Sequence, residues 1–418
     1  MNTTNVKAMP RDLNIENRKL ILDFMKDGQP HSVAEISAAL KISRQTVKKK
    51  LDFFSSKQLV ISRGKGSSTD FGGKRPEIFA MNPNIYFLCS FQIYNLVICT
   101  ALFNFSGTLM DQCVIPHEET YSLEDYVNII VTGIRTLMSR GNIPPENIHE
   151  FLVGNNGLVD SKEGIIRKTT TTPHWGEDIP LKKMLEDRLA EIPRIRVVNL
   201  IALVSAHVLA NPQMASSRII VLYWGSGISM RMIDRGHFSY TDSPICGEIE
   251  NMVIDFSNYK GQHREEKACF RHIISEEKIG ELFSRLSPEQ QSAILGFRDS
   301  SEIKHDLRLA VFQAADNGNP EAKKLVEYMA DVFFAVLMNM AVCFDPQYVV
   351  FNGLPRQYHK CFEERIYLNF QDFLYFRDVK QQMKLVFQLE DLFEICLAGS
   401  HYLMQKQFLE HSSLYEDS

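Results

Sequence analysis

Residues 32–58 read SVAEISAALKISRQTVKKKLDFFSSKQ, two short helical patterns joined by a tight turn. Ser32 can cap the first, with Glu35 at the spacing of a capping box. Val33, Ile36 and Leu40 form its inner face, and Ile42 fits the turn. Ser43 can cap the second helix, where Val47, Leu51 and Phe54 point inward at helical spacing. Arg44, Gln45, Lys48 and Lys49 are then left outward, with Thr46 beside the cap. Arg and Gln pair bidentately with guanine and adenine, whereas lysines serve phosphates. This is the layout by which a helix-turn-helix enters the major groove. Upstream, ENRKLILDFMK (16–26) sets Leu20, Ile21, Phe24 and Met25 at helical spacing, with Gly28 as the stop. Downstream, Val60–Arg63 and Glu77–Ala80 read as strands flanking a glycine-rich loop. They form a wing whose Arg63, Lys65, Lys74 and Arg75 are placed for phosphates or the minor groove. The expected double-stranded DNA contacts are therefore Ser43, Arg44, Gln45, Thr46, Lys48, Lys49, Arg63, Lys65, Lys74 and Arg75. A helical protein-interaction domain with a solvated lysine face is the competing reading, and the basic hairpin favours DNA.

Charge is distributed in the same sense. Residues 1–80 carry 15 Lys and Arg against 8 Asp and Glu, and the rest of the 418-residue chain carries 31 against 43. A basic head on an acidic body suits one surface facing a polyanion. Hydrophobic residues at 44% and charged residues at 23% are those of an ordinary globular protein. Eight cysteines are dispersed without a CxxC pair and read as reduced core residues. No signal-peptide pattern opens the chain. The longest apolar run, near Val332–Phe344, is interrupted by Asn339 and reads as too short for a bilayer. A cytoplasmic location and no membrane partner are expected.

From Tyr86 the pattern turns to strands. Phe87–Cys89, Leu96–Phe103 and Gly107–Val114 predict an antiparallel start. A helix (Leu123–Met138), a strand (Ile148–Gly154), a helix (Leu181–Glu191), a strand (Ile195–Val198), a helix (Ile201–Leu209) and a strand (Ile219–Trp224) follow. The order repeats in outline through Val332–Val342, Tyr348–Phe351, a strand around Val386 and a final helix. Duplicated α/β halves of this kind commonly bind a ligand in the cleft between them.

Several segments in this order resemble the ROK family of repressors and sugar kinases. Phe71-Gly72-Gly73-Lys74-Arg75-Pro76 with Met81-Asn82-Pro83 resembles the wing end and linker of its repressor branch. Ala101–Gly107 resembles the end of its first hairpin, and Gly154-Asn155-Asn156-Gly157-Leu158-Val159-Asp160 its G-V-P-G-P-V-D segment. Gly225-Ser226-Gly227-Ile228 resembles its G-T-G-I-G loop, Gly247-Glu248-Ile249 its G-E-I-G-H, and Phe344-Asp345-Pro346 its L-D-P. The resemblance spans roughly residues 10–410. It implies an α/β fold class, an N-terminal winged helix-turn-helix followed by a two-lobed actin-like, ribonuclease-H-like sugar-kinase fold. The expected divisions are a DNA-binding domain over 10–82, a first lobe over 83–200, a second lobe over 201–380, and a C-terminal strand and helix over 381–410 returning to the first lobe.

The departures from that family bear on function. Where its kinases carry D-x-G-x-T, this chain has Gln92, Asn95 and Leu96. Its G-G-G loop reads Asn352-Gly353-Leu354. The catalytic base of its E-N-D stretch falls on Leu200, which cannot take a proton. No kinase activity and no cofactor are expected. The family's zinc ligand after G-E-I-G falls on Asn251. Of its cysteine run only Cys269 remains, near His263 and His272, with Cys246 upstream, a spacing that fits no four-ligand site. No metal is expected. For ligand binding the resemblance leaves Asn155, Asn156, His174, Trp175, Asn199, Glu248 and Asn251. The expectation is a transcriptional regulator, a homodimer or higher homo-oligomer, with a sugar or sugar-phosphate effector. A sugar kinase with a fused head, or a regulator whose body binds a protein partner, are the alternatives. The acidic end, Glu410 and Tyr415–Ser418, is expected to be disordered.

Overall fold

The computed structural model describes the chain apart from residues 1–9, 67–74, 95–96, 119, 170–171, 215, 226, 239–242, 244, 256–267, 297–306, 374–382, 412–413 and 417–418. It divides into two units, residues 1–199 with 400–418, and residues 200–399.

The first unit opens with helices α1 (Pro10–Phe24), α2 (Val33–Leu40) and α3 (Arg44–Ser56). Ser32 and Glu35 close the expected capping box on α2, and Ser43 caps α3 through the Thr46 amide. Strands β1 (His31–Ser32), β2 (Val60–Lys65) and β3 (Glu77–Met81) form an antiparallel sheet in the order β1-β3-β2. The result is a winged helix. Val47, Leu51 and Phe54 of α3 are fully buried, as their spacing predicts. The inward stripe of α1 differs from expectation. Arg18, Ile21, Leu22 and Met25 are buried at i, i+3, i+4 and i+7, which turns Leu20 outward to 45% exposure.

The chain's last residues complete this core. Phe105, Phe408, Leu409 and Tyr415 pack with Ile21, Leu22 and Phe54. Contrary to the expected disorder, Tyr415 is 1% exposed. Its hydroxyl donates to the Leu409 carbonyl at 2.6 Å. Arg18 Nη1 donates to the Tyr415 carbonyl at 2.7 Å while its guanidinium lies 3.5 Å from the Phe53 ring centroid. Lys57 Nζ donates to the Glu416 carbonyl at 2.9 Å. Burial and two backbone-directed cations hold a segment that its composition alone would leave free.

The rest of the first unit is built on a five-stranded sheet. β4 (Phe87–Tyr94), β5 (Val97–Asn104) and β6 (Leu109–Pro116) form an antiparallel meander. After α4 (Leu123–Gly141), β7 (Ile148–Asn155) runs parallel to β4. A small ladder of β8 (Leu158–Asp160) and β9 (Ile165–Lys168) and the helix α5 (Leu181–Glu186) precede β10 (Ile195–Asn199), which is parallel to β7. The order is β10-β7-β4-β5-β6. α5 is shorter than the expected 181–191. The chain beyond it runs in turns that bury Leu189 and Ile192 ahead of Pro193.

The second unit repeats the arrangement. α6 (Leu200–Leu209) leads to β11 (Arg218–Trp224), β12 (Ile228–Asp234) and β13 (His237–Phe238), again antiparallel. Helices α7 (Phe270–Ile273), α8 (Glu276–Ser284), α9 (Pro288–Leu295), α10 (Leu307–Asp316) and α11 (Pro320–Phe344) follow. β14 (Tyr348–Gly353), α12 (Lys360–Asp372) and β15 (Lys384–Phe387) complete the sheet, ordered β13-β12-β11-β14-β15. The run around Val332–Phe344 proves to be part of a 25-residue helix, long and apolar enough to cross a membrane by composition. Its Met329, Phe333, Val336 and Leu337 lie in the core of this unit. The strand expected to return to the first lobe does not do so. β15 pairs parallel with β14, Val349 opposite Leu385, where the open edge of β14 accepts it. The return comes at Ser400, inside α13 (Leu392–Leu409).

Candidate functional site

The head presents a basic surface built from caps and a short hairpin. Ser43 is spent locally, since its Oγ accepts the Thr46 amide at 3.2 Å and lies 2.8 Å from Thr46 Oγ1. Beyond this cap Arg44, Gln45 and Lys49 are exposed on α3 and engage no partner among the described residues. Lys48, expected to face DNA with them, is tied within the chain. Its Nζ pairs with Asp52 at 3.1 Å and with Glu77 at 3.5 Å, and lies 4.7 Å from the Phe79 ring centroid. That contact fastens α3 to the wing strand β3. Arg63, Lys65 and Arg75 are exposed on the wing. Lys74 lies outside the described residues. Exposed cations on one helix and an adjacent hairpin are the groups that exchange counterions for phosphates.

The residues expected to bind a ligand fall into two groups. In the first unit Asn155 and Asn199 stand opposite each other at the carboxyl ends of the parallel strands β7 and β10. Open α/β sheets bind ligands at that end. Asn155 is 2% exposed. Its Oδ1 accepts the Tyr126 hydroxyl at 3.0 Å, and its Nδ2 donates to the Asn156 carbonyl at 2.6 Å. The amide therefore serves the fold. Burial holds the Tyr126 phenol well above its ordinary range, which keeps it a donor. The Tyr126 ring sits 4.6 Å from that of Trp175. His174 Nε2 and Trp175 Nε1 each lie 2.8 Å from the Tyr121 carbonyl, so the two rings share one anchor. Asn199 Nδ2 donates to the Gly157 carbonyl. Sequence spacing gave no sign of Tyr126, whose role depends on α4 packing over the sheet.

The second group is Glu248 with Asn251. Gly247 takes φ +95°, and a Cβ there would meet the Met230 carbonyl oxygen at 2.2 Å, so only glycine lets this segment press against β12. Asn251 Nδ2 donates to the Glu248 carbonyl at 3.3 Å. Burial, with the neighbouring Glu250 carboxylate, pushes Glu248 up to about 7. A carboxyl raised in the folded state stabilises the fold below its unfolded value and loses that contribution as pH rises through about 7. Glu248→Gln, neutral throughout, is thus expected to gain thermal stability over the parent between pH 5 and pH 8. The gain is several degrees at the upper end, on a scale of roughly 2–4 °C per kcal/mol. Thermal denaturation across that range measures it, and an equal difference at both ends would contradict it.

Glu250 was absent from the expected set. Its Oε2 accepts the Ile228 amide at 3.0 Å, beside the turn that joins β11 to β12. Its Oε1 lies 3.9 Å from Arg271 Nη1.

The positions that would support phosphoryl transfer are apolar or closed. Gln92 is fully buried on β4, its amide without a hydrogen-bond partner among the described residues. Leu200 is 1% exposed. Asn95 and Leu96 lie outside the described residues. The zinc that the family resemblance implies does not fit the residues present. Asn251 replaces a ligand, and the buried Cys269 thiol donates to the Asn251 carbonyl at 3.6 Å. Cys246 is exposed, and His263 lies outside the described residues. No group of three metal-ligating side chains occurs among the described residues.

The ROK family model matches residues 100–402. The xylose repressor of Bacillus spizizenii is 24% identical over 272 residues, 63% of this chain and 69% of that protein. That of Bacillus subtilis strain 168 is 23% identical over the same shares. Among solved structures, a ROK family transcriptional regulator described as a homolog of the E. coli MLC protein superposes with a TM-score of 0.68 at 14% identity, covering 96% of this chain and 100% of that one. A ROK family glucokinase from Streptomyces griseus, solved with glucose and AMPPNP, gives 0.59 at 16% identity, covering 76% and 98%. The structural likenesses establish the fold, and the family model spans most of the chain. The chain belongs to the ROK family.

Proposed function

We propose that this protein is a ROK-type transcriptional regulator, a repressor by kinship with the xylose repressors, that acts on DNA as a homodimer in the cytoplasm. The observation that carries the reading is the exposed trio Arg44, Gln45 and Lys49 beyond a capped helix end, beside a wing bearing Arg63, Lys65 and Arg75. By sequence, Lys74 is a further candidate phosphate contact. Ser43 and Thr46 hold the helix start, and Lys48 sets the angle between helix and wing. Two such heads related by a twofold axis match a pseudo-palindromic operator. A carbohydrate-like effector is read by Asn156, His174, Trp175 and Asn199 at the carboxyl end of the first unit's parallel strands, with Asn155 positioning them through Tyr126. In the second unit, taken by itself, Glu248 and Asn251 are the candidate polar groups. Effector affinity that differs between two conformations shifts operator affinity by the same free energy. The chain has no kinase activity in this reading, because Leu200 cannot act as a base and Gln92 brings no charge to a nucleotide.

Lys49→Ala and Lys65→Ala test it. Each is expected to weaken binding to specific and random duplexes alike, and to reduce the slope of log affinity against log salt by about one. Fluorescence anisotropy across a salt series reads both. An unchanged slope in both variants would remove the proposed phosphate contacts.

A further inference from the structure

The turn between β11 and β12 has the form of an anion cradle. Trp224 pairs with Ile228 across it, and the Gly225 amide donates to the Gly227 carbonyl at 2.9 Å. Such turns expose backbone N–H groups to phosphate or carboxylate. Two guanidinium groups attend it. Arg308, 6% exposed, donates from Nη2 to the Gly225 carbonyl at 3.1 Å, and Arg271 Nη1 lies 3.9 Å from Glu250 Oε1. The anion in place is the chain's own. Glu250 Oε2 accepts the Ile228 amide, and a Cβ added at Gly227 would meet that oxygen at 2.5 Å, so the carboxylate fills the space against the turn. Gly247, pressed on β12 through its close approach to the Met230 carbonyl, fixes the segment that delivers Glu250.

We propose that Glu250 is a resident anion: it takes the Ile228 amide and the neighbouring Arg271 guanidinium for itself, and thereby shuts phosphoryl compounds out of this turn. An incoming phosphate would have to displace a hydrogen-bonded carboxylate. The hydrogen-bonded carboxylate opposes it, whereas once Glu250 is removed the Ile228 N–H and the Arg271 cation would be left to receive it. An effector touching this turn is therefore uncharged, a free sugar in preference to its phosphate. The inference is independent of the DNA reading, because it concerns anion binding alone.

Titration of the full chain with inorganic pyrophosphate, followed by isothermal calorimetry near neutral pH, tests it. The parent is expected to show no saturable binding, and Glu250→Ala to acquire it. Adding Arg271→Ala to Glu250→Ala should weaken the new binding about tenfold, the loss of one charge-assisted contact. A parent that binds pyrophosphate as tightly as Glu250→Ala would overturn the proposal, as would a folded Glu250→Ala variant that binds none. Glu250→Gln guards against a failure to fold. It keeps the shape and weakens the acceptor, so the Ile228 amide proton should exchange faster and shift in the NMR spectrum. An Ile228 amide unmoved by that change would equally overturn the proposal.

Discussion

Tyr415→Ala is expected to destabilise the winged-helix head by about 3–5 kcal/mol, the range for removing a fully buried large aromatic side chain. Three effects combine. The ring leaves a cavity among Ile21, Leu22 and Phe54. The Leu409 carbonyl loses the hydroxyl that donates to it. The altered backbone loosens the carbonyls held by Arg18 and Lys57, two residues that also stack on Phe53 of α3. Burial pushes the Tyr415 phenol up, so the hydroxyl remains a donor throughout the ordinary pH range. Tyr415→Phe separates packing from hydrogen bonding, and its cost should fall near 1 kcal/mol. Hydrogen exchange of residues 10–66, with denaturant unfolding, measures both. A Tyr415→Ala protein whose head is as protected as the parent's would show that the tail only rests on the surface. The consequence for function is direct, because α3 carries the exposed trio and its far end is clasped by the tail.

The second large effect concerns base reading. Arg44 is exposed one residue past the Ser43 cap, where the start of a groove-seated helix meets base edges. Nothing in the chain competes for its guanidinium among the described residues. Arg44→Ala should therefore cost roughly 1–3 kcal/mol of discrimination at one base pair of each half-site. Binding to random DNA should change far less, in contrast to Lys49→Ala and Lys65→Ala.

Much of the fold could be read locally. The caps at Ser32 and Ser43 fix two helix starts within four residues, and apolar spacing then decides that Val47, Leu51 and Phe54 face inward. The strands β4, β7, β11 and β14 announce themselves as apolar runs because side chains on both of their faces are buried. What escaped depends on partners far along the chain. Leu20 and Leu22 are equally apolar, and only the groups packed on α1 decide which is buried. Leu414-Tyr415 is a two-residue apolar island in an acidic end, and its order comes from Arg18, 397 positions away. β15 looked like a strand bound for the first lobe because composition does not say which edge a strand will meet. The candidate ligand residues were legible as residue types but not as bonds. Asn155 reads as a ligand amide and is consumed by Tyr126 and Asn156. Lys48 reads as a DNA contact and is consumed by Asp52 and Glu77. Glu250 carries no motif at all, and its place becomes visible only when the Ile228 amide is found bound to it.

The central claim is that α3 reads sequence in a DNA duplex. Selection of binding sites from random DNA at fixed salt, run in parallel on the parent and on Arg44→Ala, tests it most directly. The expected result is a pseudo-palindromic motif from the parent that loses information at one position per half-site in the variant. A free-sugar panel added to the parent should release the motif with one compound. Failure of the parent to enrich any sequence, or enrichment of an identical motif by Arg44→Ala, would contradict it.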